Sequence, residues 1–212
     1  MSKKCTVVLA FIENYDKEFI LEHVKAADYV VCADAGQQIA KKYDFIPDVV
    51  IGDFDSTTED IKLDCKYITY PVEKDITDAE ACVLHCIDEG VDEITFLGGM
   101  GGRLDHTLGA LSLLIKFKDD MKRIRLIDKR NQIEILENGS ITIEKDSSYR
   151  FFSIVPVYES ISGVSIEGAK YPLDNVTMVK ASTLGISNEI EADKAKVTIA
   201  DGIAYIIRSS DA

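Results

Sequence analysis

Two aspartates one residue apart, Asp53 and Asp55 of "PDVVIGDFDST", come directly after a run of β-branched residues and a glycine. Like charges at that spacing repel unless water or a cation lies with them. The pair is therefore either a polar turn after a strand or half of a metal site. Similar places recur along the first half of the chain. "YVVC" runs into "ADAG" and brings Asp34 and Gly36, and "YITYPV" leads to "EKDITDAE" with Asp75 and Asp78. "EITFL" leads to "GGMGGRLDHT", which packs four glycines into five positions and continues with Arg103, Asp105, His106 and Thr107. One such cluster after a strand is a turn. Four in succession on one sheet edge suggest a site, because ligands of open α/β sheets sit beyond the carboxyl ends of the strands.

Each cluster also has a plain structural explanation. Thr77 and Glu80 fit a capping box, and Asp78 in a first helical turn is favoured by the helix dipole. "GDFDS" alone suits a turn as well as a site. The glycines are harder to explain that way, since glycine costs entropy and is used where the backbone turns tightly or approaches a ligand. Before a helix they leave N–H groups facing whatever sits there, and an anion fits. They are neither a phosphate loop nor a dinucleotide fingerprint: no Lys-Ser/Thr closes the run, and a G-x-G-x-x-G counted from Gly99 puts Leu104 at the last glycine. What remains is a glycine loop with an arginine for phosphate oxygens, facing carboxylates suited to Mg²⁺. Carboxylates repel a polyphosphate directly but hold it when a divalent cation lies between.

The elements that must position these groups follow two rhythms. "TVVLAF", "YVVCA", "DVVIG", "YITYPV", "EITFLGG" and "RIRLID" read as strands, separated by helical stretches at 17–26, 36–43, 77–89 and 103–118. In the last stretch Leu104, Leu108, Leu111 and Ile115 recur at helical spacing. This alternation predicts an α/β domain, a Rossmann-like and mainly parallel sheet with flanking helices. After about Asp128 the helix signal disappears. "QIEIL", "SITIEK", "YRFFSIVPV", "GVSIEG", "KVTIA" and "AYIIRS" read as short strands separated by "ENGS", "SISG" and "ADG" turns, which predicts an antiparallel sandwich or barrel. The expected domains are 1–129 and 130–212.

The 212 residues, 46% of them hydrophobic, suffice for one large domain or two small ones. No apolar run reaches the roughly 18 residues of a membrane span, and the start of the chain turns acidic before a cleavable leader develops, so the cytoplasm is expected and a membrane partner is not. Five scattered cysteines suggest reduced thiols. Cys82, His85 and Cys86 share part of a helix face but lack the second ligand pair of a zinc site. The formal charge is −13, and between Asp53 and Glu93 thirteen acidic residues face three lysines. That imbalance argues against nucleic acid, whose binding needs basic patches. A small anionic substrate remains possible if divalent cations accompany it.

The ordered set "ADAG", "PDVVIGDFDS", "EKDITDAE" and "LGGMGGRLDHTLGAL", followed by an all-β half containing "GISNE", resembles thiamine pyrophosphokinase (thiamin diphosphokinase) over most of the chain, most strongly between Ala33 and Leu111. The resemblance implies an ATP-binding α/β domain, a C-terminal thiamine-binding β-sandwich, and a homodimer with thiamine near the subunit interface. It implies transfer of a diphosphate group from ATP to the thiamine hydroxyl, with release of AMP. Carried over by motif, Asp53, Asp55 and Asp78 would hold Mg²⁺ with Asp75 beside them, and one carboxylate would accept the hydroxyl proton. Arg103 would clamp phosphate oxygens. Asp34, Gly99, Gly101, Gly102, Asp105, His106 and Thr107 would line the nucleotide site, and Ser187 and Asn188 would face the thiamine pyrimidine. Some family members stack a tryptophan on thiamine. This chain has none, which leaves Tyr171 or another aromatic for that place.

Two other readings compete. "DFDST" fits the D-x-D-x-T signature of haloacid-dehalogenase-type phosphatases, but two strand signals precede it and Gly98 to Asp105 would go unexplained. An EF-hand loop fails because Thr58 stands where glycine is required. From another class, a sensor would bind the same ligands without turnover, since fold does not fix function. Retention of the whole acidic set with Arg103 exceeds what affinity alone requires.

Overall fold

A computed structural model describes residues 2–11, 17–54, 62–71 and 75–211. The chain divides into two compact units, Met1–Asp128 and Lys129–Ala212.

In the first unit β1 (Lys4–Val8), α1 (Lys17–Lys25), β2 (Tyr29–Ala33), α2 (Gly36–Tyr43), β3 (Val49–Gly52), β4 (Lys66–Thr69), α3 (Asp78–Asp88), β5 (Glu93–Leu97), α4 (Leu104–Lys116) and β6 (Arg123–Ile127) follow one another. The six strands lie in the order β6-β5-β1-β2-β3-β4, and every pair is parallel. All four residues of β3 and the last four of β1, β2 and β5 are buried, the continuous apolar reading expected of strands inside a parallel sheet. Edge strand β4 is exposed at both its ends. The chain builds outward from β1 to β4, then returns through α3 to place β5 on the other side of β1. The order thus reverses between β1 and β5, where a crevice opens at the carboxyl ends of the strands. Thr77 starts α3 by accepting a hydrogen bond on its Oγ1 from the Glu80 N–H at 3.2 Å, as a capping residue does. Glu80 instead directs its carboxylate to Lys116 Nζ at 2.5 Å, tying α3 to α4.

Helix α4 forms where its periodicity predicts, yet it buries a different face. Ala110, Leu113 and Leu114 are buried, whereas Leu104 and Leu108 are 70% and 55% exposed. Both stripes have helical spacing, so the pattern fixes the period without saying which side meets the sheet.

The second unit contains β7 (Asn131–Glu144), β8 (Phe151–Pro156), β9 (Ser160–Glu167), β10 (Leu173–Val179), β11 (Asn188–Glu189) and β12 (Lys194–Ser209), all in antiparallel pairs. Strand β12 is the spine. It pairs β7 along its whole length, β9 through its first half and β8 through its second. One core of Phe152, Ile154, Ile161, Val164, Ile166, Met178, Val197, Ile199 and Ile206 fills the unit. Full burial of each such side chain stabilises by roughly 1.5–3 kcal/mol. The expected "ENGS" and "ADG" turns do not reverse the chain: each lies inside a single long strand. The two oppose one another at a shift in the β7–β12 register between Ile199 and Ile203. There Asn138 has φ 41°, Gly202 has φ 110°, and the Gly202 N–H donates to Asn138 Oδ1 at 2.8 Å. Bulges and turns demand the same positive-φ residues, so the sequence signal was real and its geometry different.

Among the described residues no helix is long and apolar enough to cross a membrane.

Candidate functional site

Loops at the carboxyl ends of β1, β2 and β5 and the start of α3 surround a cavity of about 550 Å³ in the first unit. Asp34, directly after β2, is 9% exposed and has φ 41°. Its N–H donates to the Ile51 carbonyl at 2.7 Å, and its own carbonyl accepts from the Gln37 N–H at 3.2 Å as α2 begins. The loop is thereby fixed to the end of β3. Gly52 permits this closeness, because a Cβ there would stand 2.9 Å from both the Cα and Cβ of Asp34. Asp34 and Asp78 line the cavity, Asp78 as the first residue of α3 and half-buried.

The glycine loop also contributes to the lining, through Gly99 and Gly101. Gly98, Gly99, Gly101 and Gly102 all have positive φ, between 66° and 97°, a conformation that side chains rarely adopt. The Gly99 N–H donates to the Phe11 carbonyl at 3.0 Å, which joins this loop to the chain leaving β1. At the start of α4, Arg103 forks onto Asp105: Nε donates to Oδ1 at 3.1 Å and Nη2 to Oδ2 at 2.6 Å. Asp105 Oδ1 also accepts from the His106 N–H at 3.0 Å. The Arg103 bond, aided by that N–H, holds the Asp105 carboxyl below the usual carboxylate range, and the same bond raises Arg103. Both side chains are well exposed, at 71% and 63%. The guanidinium is thus pre-oriented at the mouth of the cavity by a contact that a phosphate can displace.

Of the expected residues, Asp34, Asp78, Gly99, Gly101, Arg103, Asp105 and His106 line this one cavity. Asp53 is half-buried beside Gly52, outside the lining; Asp75 is exposed and also outside it. Gly102 faces the Phe11 ring, whose atoms would lie 3.1 Å from an added Cβ. The Thr107 N–H donates to the Arg103 carbonyl at 3.3 Å, and Thr107 is not a lining residue. Asp55 lies outside the described residues.

Ser187 and Asn188 belong to the second unit. Ser187 has φ 58°, and its N–H donates to Ser153 Oγ at 3.0 Å. Asn188 is buried and gives its side chain to backbone. Oδ1 accepts from the N–H groups of Tyr171 at 3.0 Å and Glu189 at 2.9 Å, while Nδ2 donates to the Tyr171 carbonyl at 2.8 Å. It holds Tyr171 in place. The Tyr171 ring is 58% exposed with Lys170 Nζ 5.7 Å from its centroid, and Glu189 pairs with both Lys170 and Arg150.

Sequence reasoning missed the apolar lining: Leu9, Ala10 and Phe11 after β1, Ala33 and Ala35 around Asp34, and Gly109 with Ala110 on α4. The signal was present in "TVVLAF", the first strand of the sheet, whose carboxyl end must border the crevice once the order reverses beside it.

Carboxylate oxygens are hard donors of the kind Mg²⁺ takes, and that ion is usually held by one or two carboxylates together with substrate phosphates. Asp34 and Asp78, both lining the cavity, therefore fit a Mg²⁺–nucleotide without a complete protein cage. Among the described residues no three His, Cys, Asp or Glu groups converge as a metal site of their own.

Two family profiles match the chain: "Thiamin pyrophosphokinase, catalytic domain" over residues 20–126 and "Thiamin pyrophosphokinase, vitamin B1 binding domain" over residues 140–204. The thiamine pyrophosphokinase of Bacillus subtilis is 39% identical over 171 residues, which cover 78% of this chain and 80% of that protein. The crystal structure of the Bacillus subtilis enzyme superposes with a TM-score of 0.85 at 32% identity, covering 99% of this chain and 100% of the other. That of Geobacillus thermodenitrificans thiamin pyrophosphokinase gives 0.86 at 30% identity, covering 99% and 98%.

Proposed function

Because the chain belongs to the thiamine pyrophosphokinase family and makes thiamine diphosphate from thiamine and ATP, we propose that the cavity of the first unit is where ATP binds and reacts. The supporting observation is that Asp34, Asp78, Gly99, Gly101 and Arg103, from three separate stretches of the chain, line a single cavity. We take the first unit as a Rossmann-like catalytic domain and the second as a sandwich-type module for thiamine, in a cytoplasmic homodimer.

In this reading the hydroxyl oxygen of thiamine bonds to the β-phosphorus of ATP, the bond from that phosphorus to the α-phosphate oxygen breaks, and AMP departs. Such a transfer needs positioning and charge neutralisation more than covalent help from the protein. Arg103 leaves Asp105 to fork onto phosphate oxygens, while the glycine loop and the first N–H groups of α4 receive others. Mg²⁺, when bound by Asp34, Asp53, Asp55 or Asp78, offsets the repulsion between these carboxylates and the triphosphate, with Asp75 nearby. One carboxylate of the set takes the hydroxyl proton. His106 and Thr107 shape the start of α4 around the nucleotide. Ser187 and Asn188 set the loop that presents Tyr171 to thiamine.

Incubation with thiamine and ATP labelled at the β and γ phosphates tests this. Both labels should appear together in thiamine diphosphate with unlabelled AMP as the other product. Labelled orthophosphate, or thiamine monophosphate as first product, would overturn the proposed bond change.

A further inference from the structure

Gly109 sits in the middle of α4, where glycine is among the poorest helix formers. Its backbone does not require it, since Gly109 is absent from the positive-φ glycines. Close approach does not require it either: apart from its own helix, nothing among the described residues comes within 4 Å of an added Cβ. A residue with room for a side chain, in an element that favours one, nevertheless has none.

Its surroundings supply the reason. Gly109 lies four residues beyond Asp105 and three beyond His106, so all three share one helix face. That face lines the cavity, with Ala110 and Leu9 nearby. Phosphates belong at the glycine loop and the start of α4 at Leu104, and Gly109 is about 7.5 Å farther along the helix axis at 1.5 Å per residue. A nucleoside extending from the phosphates in that direction would reach Gly109, and Leu9 and Ala110 give the cavity an apolar lining such as a flat base prefers.

We propose that Gly109 is a clearance residue, keeping open the part of the cavity that the nucleoside of ATP fills, so that a side chain at this position excludes nucleotide while improving the helix. The inference rests on the cavity being the ATP site.

Gly109→Ala and Gly109→Val test it through melting temperature and the separate KM values for ATP and thiamine. Gly109→Ala should melt a few degrees higher, in keeping with its better helix propensity. Its KM for ATP should rise about tenfold, the effect of one methyl-sized group in a filled pocket. Gly109→Val should raise it further, and KM for thiamine should stay within about twofold in both. Unchanged KM for ATP overturns the proposal, as does a rise confined to thiamine or equal for both substrates. A lower melting temperature in Gly109→Ala would assign the glycine to folding instead. Failure of the underlying reading is distinguishable, because Arg103→Ala, which alters the same cavity, would then also keep the parent's kinetics with ATP.

Discussion

Gly52→Ala probes the contact that sets the ends of β2 and β3 side by side. Gly52 is buried and its φ lies outside the left-handed region, so alanine meets no backbone strain and the effect is steric. The added methyl would stand 2.9 Å from the Cα and Cβ of Asp34 and 3.1 Å from its Oδ1. Real Cβ contacts do not fall below 3.0 Å, and two of these atoms are at the root of Asp34, so the loop must shift rather than one flexible tip. Overpacking of this kind costs about 1–3 kcal/mol. For a chain of this size that corresponds to a fall in melting temperature of about 2–12 °C. Because the loop that moves carries Asp34, kcat/KM for ATP should drop on the order of 10- to 100-fold, as misplacement by a fraction of an ångström does. Calorimetry and steady-state kinetics on one preparation give both numbers. A variant that melts within a degree of the parent and keeps its kcat/KM would refute the reasoning.

Arg103→Ala should leave melting unchanged, since the side chain is 71% exposed, and should cut turnover by about 10²–10³-fold through loss of a charge-stabilising donor; Arg103→Lys should recover little, because lysine lacks the planar fork. Near-parent kinetics for Arg103→Ala would remove the clamp. His85 is buried and bonded through Nε2 to the Tyr29 hydroxyl at 3.0 Å. Burial pushes its pKa below the ordinary 6.5, while burial, then Glu89, pushes the Tyr29 hydroxyl up to about 12. The unfolded chain therefore takes up a proton that the folded chain refuses, so stability holds above pH 6.5 and declines below it until the folded value is passed. Melting temperatures from pH 7.5 to 5 should show this decline, and His85→Gln should flatten it; an identical profile in the variant would contradict the assignment.

The helices and most strands of the first unit were legible because period and punctuation agreed. Continuous apolar runs gave parallel strands, and Thr77 gave the start of α3. The side of α4 that packs was not legible, because Leu104–Leu108 and Ala110–Leu114 are equally helical patterns and only the sheet chooses between them. In the second unit Asn138 and Gly202 read as turn residues, yet they oppose one another in a bulge, a long-range pairing that local sequence cannot encode. β10 went unread, its polar Asp174 and Asn175 concealing an edge strand. In the site, the charged positions and the clustered glycines before α4 announced themselves by type. Leu9, Ala10 and Gly109 did not, because small and apolar residues acquire meaning only when a cavity forms beside them. Asn188, which the resemblance places at thiamine, directs its amide to the backbone of Tyr171, a contact that local sequence does not show.

The claim on which the account rests is that Asp34 and Asp78 grip the triphosphate through Mg²⁺. Calorimetric titration of ATP into parent protein and the Asp34→Asn/Asp78→Asn variant, each with Mg²⁺ and with chelator, tests it most directly. With Mg²⁺ the variant should bind ATP at least tenfold more weakly than the parent. With chelator the order should reverse, because two charges that repel bare triphosphate are gone. Equal strengthening of ATP binding by Mg²⁺ in the two proteins would contradict the claim.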